Sequence, residues 1–447
     1  ISKKFTKNFD WWLSPPASRN PLISDLHKKI TILETLDKVK GHYSSIQIIV
    51  NTKKFKYLLR EWLNKEKINY NIRLKLKKNI FKNKFIPLKT FVFYFLIYLY
   101  INIFVKKKII KDDRKITLID VWQTNIYKNK NYDFLIKKYN INSKNVFFCP
   151  KFLIERNLLK IFQIINSIKS SNYIFKEHYL NVFDFLKCFY PRSLKKIVKS
   201  DFVKYKKWSL REIIIDELFE LSDYPSIYLA KSNYYFCKKM KEKKIKIHKS
   251  INWFENQTVD KGWNYSFRKF FPETKIFGYQ GFTHYMQLMN TIPAEHEEKA
   301  EVIAKEVYTI GRAYVKMKKE FFPKLKVNVA PALNYQNIFN NYKKTFTNKL
   351  LVILSGIREL DCKVLDWTYY FLDQNKNAKV IIKAHPIMPF EKLSKNKKTY
   401  EKQIRIYNGN LDNILKKTHS VICSGPTSAT LESLAFNCYL IVPVLEP

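Results

Sequence analysis

Apolar and polar residues follow two rhythms along this chain. Short apolar runs at Ile46–Val50, Ile116–Val121, Val146–Phe148, Ser226–Ala230, Leu350–Leu354, Val380–Ile382 and Ser420–Cys423 are bounded by polar or turn-forming residues. Such runs predict strands. Between them lie longer stretches whose apolar residues recur three and four apart, at 152–168, 202–221, 233–244, 361–373 and 411–417. These predict helices. At the start, Phe9–Leu13 reads as a strand, Ser14–Pro21 as a proline-broken loop, and a helix begins at Leu22. Alternation of strands and helices predicts an α/β chain with mostly parallel sheets.

A chain of 447 residues is long enough for two cores. The second domain is expected to begin at a strand-like Lys326–Val329 or at Leu350–Leu354, the first giving domains 1–325 and 326–447. The chain begins at Ile1 and stops just after the strand-like Tyr439–Val444, so it is expected to be a piece of a longer protein, with the second domain cut short.

One segment breaks both rhythms. Phe91–Val105 is almost wholly apolar, with Lys89 before it and Lys106-Lys107-Lys108 behind. It is shorter than the roughly twenty residues that span a bilayer. Two readings stay open: a buried core helix, or a helix lying on an anionic membrane surface.

Charge widens the field of partners. The net charge is +44, from lysines spread over the whole length beside many Asn, Ile, Phe and Tyr. AT-rich coding gives that composition with no functional cause. It also attracts acidic lipid headgroups, nucleotide-sugars and acidic glycans. No nucleic-acid recognition module is recognisable, so nucleic acid is not an expected partner. Six cysteines without CxxC spacing suggest neither a disulfide framework nor a zinc site, which suits a reducing cytoplasm.

Candidate chemistry gathers where strands end. Val380–Lys383 leads into Ala384-His385-Pro386, and Ser420–Cys423 opens into Ser424-Gly425-Pro426-Thr427-Ser428, with Glu432 one helical turn further. Open α/β sheets bind ligands at the C-terminal ends of strands, and a helix start with hydroxyls and free N–H groups seats phosphate. Glu432 is placed to accept from sugar hydroxyls. Ser355-Gly356-Ile357-Arg358 follows another strand, and Arg358 is a candidate for stabilising leaving-group charge. A second cluster lies mid-chain, at Glu255-Asn256-Gln257, Asp260-Lys261 and His284. There Glu255 or Asp260 is the candidate base or nucleophile, and His284 the candidate for acceptor orientation or proton transfer. Asn256 and Gln257 are candidate substrate contacts, and Lys261 a candidate partner for a donor carboxylate. Near the start, Arg19 is placed to meet an anionic sugar. The acidic pair Asp112-Asp113 is a poor match to an Asp-x-Asp metal motif, so no metal is expected.

With those residues in view, the C-terminal third resembles the GT-B glycosyltransferases of bacterial surface-polysaccharide synthesis. The likeness is to those using CMP-activated acidic sugars, the sialyl-, polysialyl- and Kdo transferases. It implies two Rossmann-like domains facing a cleft. It also implies that His385 and Pro386 approach the cytidine or phosphate while Ser424, Thr427 and Ser428 contact the phosphate. The expected activity is metal-independent transfer of an acidic sugar, Kdo before sialic acid, onto a capsular or lipopolysaccharide-type glycan or glycolipid. CMP-sugar is then a co-substrate, with no further cofactor, and the place of work is the cytoplasmic face of the inner membrane. A UDP- or GDP-sugar transferase is one alternative, and a non-catalytic glycan- or membrane-binding protein another.

Overall fold

The structure is a computed structural model. It describes residues 2–39, 41–43, 45–75, 85–110, 115–123, 143–153, 155–189, 204–206, 208–220, 223–283, 288–335, 347–386, 388–393 and 399–443. The chain divides into two compact units, Ile1–Gln280 with Met286–Pro331, and Gly281–Tyr285 with Ala332–Pro447.

Unit 1 is built on a six-stranded parallel sheet of β3 (Lys115–Trp122), β4 (Val146–Lys151), β7 (Lys246–Trp253), β8 (Lys275–Gln280), β9 (Glu306–Thr309) and β10 (Lys326–Val329). Its spatial order is β10-β9-β8-β7-β3-β4. Counted in chain order these strands run 2-1-3-4-5-6 across the sheet, so the winding reverses between β3 and β7. Helices Tyr224–Glu242 and Thr258–Phe270 pack against each other, and residues from both share a core with the strands: Phe236, Met240, Trp263 and Phe267 meet Leu118, Cys149, Ile276 and Val307. A smaller parallel pair, β1 (Ser45–Val50) with β2 (Asn69–Leu74), shares a second core with Trp11, Trp12, Trp62 and Trp208. A short antiparallel pair joins β5 (Lys204–Tyr205) to β6 (Trp208–Ser209).

Unit 2 has a five-stranded parallel sheet of β11 (Thr347–Ile353), β12 (Val380–Lys383), β13 (Ile404–Ile406), β14 (Thr418–Cys423) and β15 (Tyr439–Ile441). The order β13-β12-β11-β14-β15 is 3-2-1-4-5 in chain order. That is the doubly wound arrangement, with its reversal between β11 and β14. Val352, Val364, Leu372, Val380 and Ile382 form its core.

Four sequence expectations change. Phe9–Trp12 is a short helix, started by Asn8 whose side chain accepts from Trp11 N. Ser226–Ala230 lies inside the helix Tyr224–Glu242, with all five residues buried. Much of 202–221 is not helical: β5 and β6 precede the helix Arg211–Leu218. Finally β10, expected to open the second domain, pairs with β9 and edges the sheet of unit 1.

Candidate functional site

In unit 2 the chemistry sits at the reversal of the sheet, where open sheets leave a crevice. β11 runs into Ser355-Gly356-Ile357 and then the helix Arg358–Gln374. β14 runs into Ser424–Thr427 and then the helix Ser428–Ala435. Asp361, fully buried, ties the two loops together. Its carboxylate accepts from Ser355 N at 2.8 Å, Ser355 Oγ at 2.9 Å, Gly356 N at 2.9 Å and Ser424 Oγ at 2.5 Å. The Ser424 hydroxyl also accepts from Ser355 N. Ser424 is therefore a buried strut rather than the phosphate contact expected of it.

His385 follows β12 on the other side of β11 and packs against Gly356. A Cβ at Gly356 would stand 2.8 Å from the imidazole, and φ there is +85°. Only glycine meets both conditions comfortably. Burial lowers the His385 pKa, opposed by Asp361, so the ring is neutral at pH 7. Pro386 beside it is exposed. Thr427 and Ser428 open the helix Ser428–Ala435, both half-buried, and Thr427 N donates to Thr430 Oγ1 at 3.1 Å. Arg358 is exposed in the first turn of its helix. Glu432 is half-buried, and burial together with Asp412 pushes its carboxyl up to about 7 against the pull of Lys383. Lys383, the last residue of β12, donates to Gly409 O at 2.7 Å.

In unit 1 the second cluster also follows strand ends at a reversal. Glu255 lies two residues past β7, half-buried, and accepts from Trp253 Nε1 at 2.9 Å and from the Gln257 amide. Burial and then the Asp260 charge push its pKa up to about 7, with Trp253 and Lys151 opposing. Such a carboxylate exchanges protons near neutrality, as a general base needs.

Asp260 has another task. Buried at the head of the helix Thr258–Phe270, it accepts from Glu255 N at 3.0 Å and Gln257 N at 3.2 Å, a helix cap. Its other oxygen lies 3.6 Å from Lys151, which is paired with buried Asp120 of β3. Burial works against the Lys151 charge, but the two aspartates outweigh it and its pKa is raised.

Arg19, Asn256 and Lys261 meet on a residue absent from the sequence expectations, Glu297. Arg19 lies 2.7 Å from its carboxylate, Lys261 3.1 Å and Asn256 Nδ2 3.1 Å. Burial pushes Glu297 up, but Arg19 and Lys261 more than offset it and its pKa is lowered. Lys261 is wholly buried and also donates to Ala17 O at 2.6 Å. Its ammonium is spent inside the fold, which corrects the expectation that it grips a donor carboxylate. Asn256 has φ +54° and donates to Asn290 O, fixing the turn that presents Glu255. His284 and Asp112-Asp113 lie outside the described residues.

Glu297 was missed because its partners Arg19, Asn256 and Lys261 are remote in sequence, and the role of Asp361 because its link to Ser424 spans 63 positions. Ser355-Gly356 followed by an acidic residue in the next first turn was the one local signal, and it marks a capped loop.

No protein-family model matches the chain, and no curated protein matches it in sequence. Among solved structures, UDP-N-acetylglucosamine 2-epimerase from Rickettsia bellii is similar at 8% identity and TM-score 0.41, covering 73% of this chain and 78% of its own. Arabidopsis thaliana UGT89C1 complexed with UDP-L-rhamnose gives 8% identity and TM-score 0.39, covering 74% and 80%. The lipopolysaccharide outer core galactosyltransferase WaaB gives 11% identity and TM-score 0.34, covering 74% and 87%. Likeness at this level carries no argument about function.

Proposed function

We propose that the chain is a GT-B-type glycosyltransferase that moves an acidic sugar, Kdo favoured, from a CMP-activated donor to a surface glycan or glycolipid. The observation that carries the proposal is the strand order of unit 2. It brings the Ser355–Arg358 loop and the Thr427-Ser428 helix start to the two sides of one sheet reversal, with His385 against Gly356.

In this proposal the N–H groups opening the helix Ser428–Ala435 and the Arg358 guanidinium take up charge on the departing phosphate. Neutral His385 contacts the nucleotide, and Glu432 accepts from a sugar hydroxyl once ionised. Glu255 of unit 1 is assigned the general base's role, taking the proton from a hydroxyl whose oxygen bonds to the sugar carbon as the bond to the leaving phosphate breaks. Arg19, Asn256 and Lys261 hold Glu297, and through it the turn before Gln257. No metal and no further cofactor enter the scheme, and the place of work is the cytoplasmic face of the inner membrane.

The donor half is tested by thermal shift with CMP, UDP and GDP. Stabilisation by CMP is expected; stabilisation by UDP or GDP alone replaces the CMP assignment with the other nucleotide. Transfer should persist in EDTA, and its loss would overturn metal independence. Binding of glycan or vesicles with none of the three nucleotides bound would favour the non-catalytic alternative.

A further inference from the structure

The helix Ile86–Phe104 answers, by its packing, the question its sequence leaves open. One side is tied into unit 1: Tyr94, Ile97, Tyr98 and Ile101 are buried, Tyr94 Oη donates to Phe152 O, and Tyr98 Oη donates to Leu180 O. On one flank Phe91 and Phe95 meet Phe185 of the helix Val182–Phe189, and on the other Tyr100 stacks on Phe162 of the helix Leu158–Ile168. The remaining face points outward. Leu88, Val92, Leu96 and Ile103 recur along it at helical spacing, between 39% and 66% exposed. The neighbouring helix continues the patch with exposed Val182, Phe183 and Leu186. A surface helix ordinarily turns polar residues outward, so this face is without a partner among the described residues.

We infer that this face docks unit 1 on an anionic lipid bilayer, the helix lying in the surface rather than crossing it. Length and composition alone would let the helix cross a membrane. Its inner side is hydrogen-bonded to the non-helical backbone at Phe152 and Leu180, which a crossing helix would carry into the hydrocarbon, so the surface position is favoured. Charge selects the occupant. Residues 85–110 hold four lysines and no acidic residue, and exposed Lys89, Lys106 and Lys187 border the apolar face. At the helix C-terminus a groove of about 660 Å³ is lined by Asn102, Phe104, Lys106, Lys107 and His178, a seat for headgroup phosphate. His178 Nε2 bonds Val105 O at 2.8 Å, so that carbonyl is satisfied without water. A second copy of this chain, of net charge +44, would set the same lysines against each other, whereas an anionic bilayer is attracted.

The inference is independent of the donor assignment. Its test is sedimentation of the full chain with neutral phosphatidylcholine vesicles and with vesicles one-third phosphatidylglycerol. Binding to the anionic vesicles alone, weakened by high salt, is expected. Leu96→Asp with Ile103→Asp should lower the partition coefficient roughly a hundredfold, about tenfold for each aliphatic side chain replaced. Lys89→Glu with Lys106→Glu, which leaves the apolar face intact, should lower it roughly tenfold. Unchanged circular dichroism and thermal midpoint keep both comparisons valid. Wild-type chain that ignores anionic vesicles overturns the inference, as does aspartate-variant binding equal to wild type. A dimer that Leu96→Asp converts to monomer, without vesicle binding, would assign the face to a second copy instead.

Discussion

Glu255 owes its character to its neighbours more than to its identity. Two side-chain donors hold the carboxyl in place, while burial and the charge of Asp260 raise its pKa to about 7 from an ordinary 4.5. The folded state therefore binds the proton more tightly than the unfolded chain, and stability falls as pH rises from about 4.5 to about 7. Glu255→Gln removes that part of the slope. Urea titrations at pH 5 and pH 8 should show a smaller loss in the variant than in wild type, Glu432 contributing in the same direction and the lowered His385 in the opposite one. The same variant should lose transfer activity by a hundredfold or more, the order expected of a general base, and full activity would remove Glu255 from the chemistry. Gly356 is constrained differently. Gly356→Ala sets a methyl against the His385 ring at positive φ, so a loss of about 1–3 kcal/mol in denaturant titration is expected, along with weaker nucleotide protection.

At the scale of elements, two joints decide the architecture. One is the pair of loops after β11 and β14, closed by Asp361. Asp361→Ala takes the carboxylate acceptor from Gly356 N and from two serine hydroxyls, leaving Ser355 N with Ser424 Oγ alone, and should cost about 3 kcal/mol or more in chemical denaturation. The other is the crossing of Tyr224–Glu242 with Thr258–Phe270. A Cβ on Gly262 would stand 2.5 Å from Ala230, so Gly262→Ala should destabilise by about 1–3 kcal/mol by the same measurement. The same crossing shows why Ser226–Ala230 misleads as sequence. All five residues are buried, so the run shows no face, and apolar runs without a face do not distinguish helix from strand. Four of the five strands of unit 2 were legible from pattern alone; β13, only three residues long, was not. Which side chains work and which brace was not legible either. Ser424 and Asp361 are 63 positions apart, and Arg19 and Glu297 are 278 apart; only the fold brings such partners together.

On the scale of the whole molecule, the two units carry separate cores, and the proposed nucleotide seat falls in unit 2 alone. A ligand that binds one folded unit stabilises that unit by mass action, about 2.7 kcal/mol at a hundredfold excess over its Kd. Calorimetry of the full chain with and without CMP should therefore resolve a transition that moves upward and a second that stays in place. Hydrogen exchange assigns them: protection should rise along β11, β12 and β14 and remain unchanged along β3 and β7. If CMP protects β3 and β7 and leaves β11, β12 and β14 unchanged, the donor belongs to unit 1, and the sheet reversal beside Glu255 becomes the nucleotide site. If both sets gain protection, donor binding couples the units, and Glu255 should then titrate differently in the presence of CMP. A pH profile of CMP affinity reads that coupling directly, because any change in the Glu255 pKa on binding must appear, by linkage, as a dependence of affinity on pH.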